Sequence, residues 1–224
     1  MATFVLIHGA ADSGWFWHLV EAELRGRGHD TVAPDLPCDD SAGLAEYTDA
    51  VVEAVGDRPD LVVVAQSFGG FTAPLVCDRL PVDLLVLLAG MVPAPGERPE
   101  DWPANTGLAA ARREQDERDG RAPDDEVALF MQDVPRPLAE EALRRGRRQS
   151  DTPGEAPWPL PAWPVVPTRF LLCRDDRVLP AEFMRRLARD RLGITADEID
   201  GSHCVALSRP VELADRLEAY RTAR

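Results

Sequence analysis

The stretch of residues 61–70, LVVVAQSFGG, decides the fold of this 224-residue chain. Its apolar first half predicts a buried β-strand, and residues 69–80 carry the pattern of a helix. A sharp turn between the strand and the helix lifts Ser67 above the sheet edge. The amino terminus of the helix lies behind Ser67 and stabilises negative charge that develops there during a reaction. The pattern A-x-S-x-G departs from the usual G-x-S-x-G only at Ala65, which is small enough for the same turn. The stretch therefore predicts a parallel sheet that presents Ser67 as a nucleophile.

Strand-like apolar runs and helical patterns alternate on both sides of this stretch, which is typical of a parallel sheet covered on both faces. The predicted strands are residues 3–7, 29–34, 61–65, 82–88, 168–173 and 194–199. The predicted helices outside the middle of the chain are residues 16–25, 45–55, 69–80, 181–189 and 211–220. We therefore expect one α/β domain over residues 1–224, with a six-stranded, mostly parallel sheet and helices on both faces.

Residues 93–164 interrupt the alternation. They are rich in Pro, Arg and acidic residues and show no strand pattern, only short helical stretches at 108–118, 124–131 and 138–148. Large apolar side chains such as Trp158 and Trp163 argue against a disordered linker. We expect a small helical cap over the sheet, inserted after the strand that ends near residue 88.

The composition narrows the function classes. The chain has 25 basic and 39 acidic residues and a formal net charge of −14, a balance that disfavours nucleic acid and acidic membranes as partners. All 25 basic residues are Arg, and the chain contains no Lys. This excludes a Schiff-base lysine and suggests a GC-rich bacterial genome. The four cysteines show no zinc-site spacing.

With no apolar run that could span a bilayer and no basic leader, a cytoplasmic location is predicted. The oligomeric state is left open, with a homodimer among the options.

A serine nucleophile needs a base and an acid that orients it. In this kind of fold the order along the chain is serine, acid, histidine. Only His203 follows the last predicted strand, whereas His8, His18 and His29 are interpreted as structural. After the strand at 168–173, Asp175 and Asp176 compete. We favour Asp176, because it stands four residues before Pro180 in a D-x-x-x-P turn, and Asp175 remains the alternative.

The remaining site residues are predicted from their neighbourhoods. The backbone N–H groups of Ala10, after the first strand, and Phe68, after the nucleophile, are the expected oxyanion donors. Candidate residues for the substrate pocket, each equally explained by cap or core packing, are Trp15, Met91, Trp102, Phe130 and Met131. Their apolar character favours an uncharged, lipophilic ester of modest size. The expected chemistry requires no metal and no organic cofactor.

Two longer segments carry a family resemblance. Residues 4–36, FVLIHGAADSGWFWHLVEAELRGRGHDTVAPDL, and residues 201–217, GSHCVALSRPVELADRL, resemble the plant esterase and hydroxynitrile lyase group of α/β-hydrolases and its bacterial relatives. The resemblance implies a six-stranded sheet with a small helical cap. It also implies a triad of Ser67, Asp176 and His203.

The group that the chain resembles contains two chemistries. Its lyases carry Thr where this chain has Gly9, and Lys where it has Cys204, and that lysine stabilises departing cyanide. With neither residue present, we expect a serine esterase that acts through an acyl-enzyme. The alternatives are a lyase or another tailoring enzyme that uses the same triad, and a ligand-binding protein without catalysis.

Overall fold

A computed structural model describes residues 1–120 and 126–223 of the chain. Its strands are β1 (Thr3–Ile7), β2 (Asp30–Val32), β3 (Leu61–Gln66), β4 (Val82–Leu88), β5 (Thr168–Cys173) and β6 (Asp197–Ile199). They form one six-stranded sheet in the order β2-β1-β3-β4-β5-β6. Every pairing is parallel, so the expected architecture is confirmed.

The strands are apolar along their length because helices cover both faces of the sheet. All six residues of β3 are buried, as expected for the centre of a parallel sheet. Side chains alternate between two cores: Val5 and Ile7 of β1 contribute to one and Phe4 and Leu6 to the other. This alternation follows from the two-residue repeat of a strand.

The helices before the cap are α1 (His18–Gly26), α2 (Leu44–Val55) and α3 (Gly69–Arg79). Those after it are α9 (Ala181–Leu192), α10 (Val205–Ser208) and α11 (Pro210–Thr222). Buried residues of α2, α3 and α9 pack in one core, and those of α1, α10 and α11 pack in the other. Short 3₁₀ helices at Gly14–Trp17 and Pro99–Asp101 complete the described helical structure.

The chain between β4 and β5 forms no strand within its described residues. It consists of α4 (Trp102–Thr106), α5 (Leu108–Asp119), α6 (Glu126–Phe130), α7 (Arg136–Arg145) and α8 (Thr152–Glu155). The predicted helix at 124–131 corresponds to α6, and its residues 124 and 125 lie outside the described residues. Each of α4, α8 and α10 has only four or five residues, and the sequence patterns did not predict them.

The order of the strands fixes where a ligand can bind. The chain runs from β1 outward to β2, then crosses back to β3 on the other side of β1. In such sheets the crevice beyond the carboxyl ends of the two strands at this reversal is the preferred binding place. Here that crevice lies between the loop after β1 and the turn after β3. Within the described parts of the chain, no helix is both long and apolar enough to cross a membrane.

Candidate active site

Ser67 occupies a strained turn between β3 and α3. Its φ of +52° lies in the left-handed region, which non-glycine residues adopt rarely. The turn is held by the Ser67 carbonyl, which accepts hydrogen bonds from the N–H groups of Gly70 at 3.1 Å and Met91 at 2.9 Å. A Cβ at Gly69 would lie 2.9 Å from the carbonyl oxygen of His8, so the pattern needs glycine there. The side chain of Ser67 is thereby fixed at the crevice, with 8% of the residue exposed.

His203 and Asp176 form a buried pair that comes from two loops. A hydrogen bond of 2.7 Å joins His203 Nδ1 to Asp176 Oδ2, and the two residues are 3% and 1% exposed. The other carboxylate oxygen accepts hydrogen bonds from the N–H groups of Val178 at 2.8 Å and Leu179 at 2.9 Å. The carboxylate is therefore held rigidly, and it in turn fixes the orientation of the imidazole.

Asp175, the alternative acid, binds the backbone beside the histidine and not the histidine ring. Its Oδ2 accepts a hydrogen bond from the N–H of Gly201 at 3.1 Å, and its own N–H donates to the carbonyl of Gly201 at the same distance. These two bonds clamp the loop after β5 to the loop that carries His203. Asp175 thus braces the chain beside the pair.

Gln66 connects the serine turn to the histidine loop. Its buried side-chain amide donates to the carbonyl of His203 at 3.3 Å. Among the described residues, Ser67 Oγ has no hydrogen bond to His203. In unliganded active sites such bonds are often long and tighten only when substrate binds.

Two backbone N–H groups belong to the loop after β1 and to the turn after β3, the two segments that flank the crevice. Within the described residues, neither the N–H of Ala10 nor that of Phe68 is paired in a hydrogen bond. A pair of free donors beside a serine is the arrangement that can hold an oxyanion.

The loop after β1 is braced from several sides. His8 Nε2 accepts a hydrogen bond from the N–H of Leu36 at 3.0 Å, and its Nδ1 lies 2.7 Å from the carbonyl oxygen of Gly9. Ala11 donates to Gln149 Oε1 at 3.2 Å and accepts from the N–H of Arg147 at 2.9 Å. The chain that follows α7 therefore holds the loop that carries the free N–H of Ala10.

A cavity of about 290 Å³ opens beside the loop after β1. Its wall is formed by Ala10, Ala11, Asp12, Glu126, Phe130, Met131, Ala142, Leu143, Gly146, Arg147, Cys204 and Leu207. The ring of Phe130 meets the ring of His203 edge to face, with centroids 5.6 Å apart, so the cavity adjoins the histidine. The volume suits a ligand at the small end of the usual range.

The predicted pocket residues divide into three groups. Phe130 and Met131 lie on the cavity wall. Trp15 and Met91 are outside that wall as the described residues form it, and Trp15 stacks on His18 with ring centroids 4.3 Å apart. The prediction for Trp102 is wrong: the residue is 0% exposed, and its indole N–H donates to the carbonyl of Val92 at 2.8 Å. An aromatic residue with a polar edge can be wholly buried when that edge has a partner.

The other histidines have structural partners. His18 Nδ1 lies 2.8 Å from the carbonyl oxygen of Trp15. His29 accepts from the N–H of Ala2 at 3.1 Å and approaches Glu218 at 2.8 Å. In the parts of the chain that the structure describes, no group of three or more His, Cys, Asp or Glu side chains is arranged to hold a metal ion.

Four residues of this neighbourhood were missed from the sequence: Asp12, Gln66, Arg147 and Gln149. The sequence could have indicated Gln66 and Asp12 as site residues, because each lies within two residues of a predicted site residue. Arg147 and Gln149 had none, since they meet the loop after β1 only through the tertiary fold.

Comparisons with known proteins show the family to which the chain is related. The sequence model of the alpha/beta hydrolase family matches residues 4–216. The chain is 35% identical to the "Probable esterase PIR7A" of Oryza sativa subsp. indica over 109 residues, which are 42% of this chain and 41% of that protein.

Other relatives match over almost their whole length. The alpha-hydroxynitrile lyase of Arabidopsis thaliana is 25% identical over 250 residues, with 98% of this chain and 96% of that protein covered. The solved structure of an extracellular alpha/beta-hydrolase from a Paenibacillus species superposes with a TM-score of 0.80 at 20% identity, over 99% of both chains. The chain therefore belongs to the alpha/beta hydrolase family.

Proposed function

We propose that this hydrolase is a serine esterase that cleaves small to medium lipophilic esters through an acyl-enzyme. The observation that carries the proposal is the combination at one sheet edge of Ser67 in a left-handed turn and a buried His203–Asp176 pair. The two unpaired N–H groups of Ala10 and Phe68 complete it. Each part occurs in other settings, but together they supply nucleophile, base, orienting acid and oxyanion donors.

In the first half of the reaction, Ser67 Oγ attacks the ester carbonyl carbon while His203 Nε2 takes the hydroxyl proton. The negative charge that forms on the carbonyl oxygen is stabilised by the N–H groups of Ala10 and Phe68. Asp176 keeps the proton of His203 on Nδ1, so that Nε2 is free to act as the base. When the tetrahedral intermediate collapses, the ester C–O bond breaks, and His203 gives its proton to the leaving alcohol.

In the second half, water replaces the alcohol. His203 takes a proton from water, whose oxygen attacks the acyl carbon bound to Ser67. The same two N–H groups hold the new oxyanion. Collapse of this intermediate breaks the bond to Ser67 Oγ, which recovers its proton from His203, and the carboxylic acid is released.

The cavity supports an ester of modest size as the substrate. Apolar residues such as Phe130, Met131 and Leu207 form much of its wall, and its volume is about 290 Å³. Pockets of this size and character bind small ligands mainly through buried apolar area. A short acyl chain or a small aromatic group would fit.

Two positions favour ester hydrolysis over the cyanohydrin chemistry of the similar lyases. A Cβ at Gly9 would collide with Gln66 Oε1 and lie 3.0 Å from Ser67 Cβ, so a threonine there requires Gln66 to move. Burial raises the pKa of the Cys204 thiol well above its usual range, so the thiol is neutral and carries no positive charge for cyanide. We expect no aldehyde release from cyanohydrins at any pH between 5 and 8.

Labelling with a fluorophosphonate, followed by intact mass measurement, tests the proposal. We expect one adduct on the wild-type protein and none on Ser67→Ala, and hydrolysis of p-nitrophenyl butyrate should disappear with it. Ser208→Ala is the matched control, because Ser208 is a serine of α10 whose buried hydroxyl has no partner among the described residues. Absence of an adduct on folded wild-type protein would overturn the proposal and favour a binding protein without catalysis.

A further inference from the structure

Asp12 places a carboxylate on the wall of the cavity beside His203, and the mechanism above gives it no role. It stands in the loop after β1, two residues beyond Ala10. That loop is tied down through Ala11 to Gln149 and Arg147. The position of Asp12 relative to the oxyanion donor is therefore fixed by the fold.

The carboxylate of Asp12 is only half used by the protein. Its Oδ1 accepts a hydrogen bond from the N–H of Ser13 at 2.8 Å. Within residues 1–120 and 126–223, no donor is paired with Oδ2. The cation on the same wall, Arg147, is engaged elsewhere: its guanidinium donates to the carbonyl of Leu36 at 2.8 Å and to Cys38 Sγ at 3.0 Å. One carboxylate oxygen is thus available to a ligand.

The charge of Asp12 is poorly compensated. The groups that face it are His203 and Asp35, and Glu126 and Arg147 share the cavity wall. Burial raises the pKa of Asp12 to about 6, against a smaller lowering by the Ser13 N–H and by His203. Above pH 7 the cavity therefore contains a partly buried negative charge that lacks an ion-pair partner among the described residues.

We propose that Asp12 makes the site selective for esters that carry a cationic nitrogen close to the scissile bond, an inference that rests on the proposed esterase function. A carboxylate in a partly dehydrated cavity attracts such a cation more strongly than it would in water. Phe130 lies on the same wall, and an aromatic ring beside a carboxylate further favours a cation. An ester with a carboxylate at this place would be repelled.

The sharpest test compares two esters of one acid that differ only in charge. Butyrylcholine carries a quaternary nitrogen, and 3,3-dimethylbutyl butyrate has a carbon atom in its place, so neither titrates. We expect the wild-type protein to prefer the cationic ester by about tenfold in kcat/KM at pH 8. In Asp12→Asn, the preference should fall to about twofold or less. It should also fall in the wild type as pH drops below 6, because Asp12 becomes protonated.

Controls separate Asp12 from general charge effects. Asp57→Asn makes the same charge change at an exposed position outside the cavity, and we expect the preference to stay unchanged. If Glu126→Gln abolishes the preference while Asp12→Asn does not, the assignment to Asp12 is wrong. Equal kcat/KM values for the two esters in the wild type would also overturn it.

Binding measurements distinguish this inference from the proposed function. Ser67→Ala should bind both intact esters, with the cationic one about tenfold tighter, and Ser67→Ala/Asp12→Asn should lose that difference. If the wild type neither reacts with a fluorophosphonate nor hydrolyses esters but shows this binding difference, the esterase proposal fails and the cation site stands. If hydrolysis is intact and neither binding nor kcat/KM depends on charge, only the inference about Asp12 fails.

Discussion

Two neighbouring carboxylates at the end of β5 have different tasks. Asp176 faces His203 Nδ1 at 2.7 Å, whereas Asp175 holds Gly201. Asp176→Asn would present an N–H group to Nδ1 and favour the tautomer whose proton sits on Nε2, which cannot accept the proton of Ser67. We expect kcat to fall by about 10³–10⁴-fold with little change in the melting temperature. Steady-state kinetics with p-nitrophenyl butyrate and a thermal melt measure both.

Asp175→Asn is the comparison for that prediction. An amide oxygen at this position can still accept the hydrogen bond from Gly201, so we expect kcat to change by less than about fivefold. If Asp175→Asn inactivates the enzyme and Asp176→Asn does not, the assignment of the acid is reversed.

The sequence could predict single residues where a motif restricts them. The turn after β3 and the D-x-x-x-P pattern led to Ser67 and Asp176, because backbone geometry demands those patterns locally. Asp12 could not be ranked in this way. Asp12 lines a cavity only because the fold brings it together with Cys204 and Phe130 on one wall, and both residues are far from it in the sequence. Trp102 was assigned to the pocket wrongly because the sequence pattern around an apolar cap residue is the same whether its side chain faces a ligand or the core.

At the scale of elements, the chain after α7 supports the loop after β1. Gln149 accepts from the N–H of Ala11 and donates to the hydroxyl of Tyr47 at 3.0 Å. Ala11 itself has a φ of +60°, a conformation that needs such support. We expect Gln149→Ala to lower kcat by about tenfold while KM changes by less than about threefold, because a displaced Ala10 N–H weakens the transition state more than the bound substrate.

Arg148→Ala is the control for this element. Arg148 neighbours Gln149, yet its side chain is 77% exposed, and among the residues that the structure describes its one ion pair is with Asp40, at 3.2 Å. Exposed ion pairs contribute little to stability, so activity and melting temperature should stay at the wild-type values. A loss in Arg148→Ala equal to that in Gln149→Ala would mean that the segment acts through general stability and not through the loop.

The bounds of long, buried strands were predicted more accurately than those of short strands and short helices. The strands β1, β4 and β5 begin and end where the apolar runs do, because both faces of the sheet are covered. The outer strands β2 and β6 have only three residues each. Their predicted ranges, 29–34 and 194–199, were too long, because an edge strand ends where its pairing with the single neighbouring strand ends. The short helices of the cap have too few turns for a periodic pattern.

At the scale of the molecule, a buried ion pair joins the start of the cap to α9. Glu97, which follows β4, accepts hydrogen bonds from Arg191 of α9, from Asn105 of α4 at 2.9 Å, and from the N–H of Ala94 at 3.0 Å. The Glu97 side chain is only 5% exposed, and that of Arg191 is 18% exposed. The pair therefore fixes the start of the cap against α9, whose buried residues pack on the sheet.

Breaking this pair should destabilise the whole protein. We expect Glu97→Gln to reduce the free energy of unfolding by about 2 kcal/mol at pH 7, because it leaves the Arg191 charge partly buried and unpaired. Burial alone would raise the pKa of Glu97, but the hydrogen bonds from Arg191, Asn105 and Ala94 outweigh it, and the pKa lies below its usual 4.5. The contribution is thus complete above pH 4.5 and is lost as pH falls through the lower value in the folded state.

Urea denaturation of both proteins at pH 7 and at pH 3 measures this effect. The difference between wild type and Glu97→Gln should be largest at pH 7 and shrink at pH 3, where the carboxylate of the unfolded chain is protonated. Arg98→Ala, which removes exposed pairs with Glu100 and Asp101, should leave the free energy of unfolding close to the wild-type value at either pH, because exposed ion pairs contribute little. A difference for Glu97→Gln that is small at pH 7, or that grows in acid, would contradict this role of the ion pair.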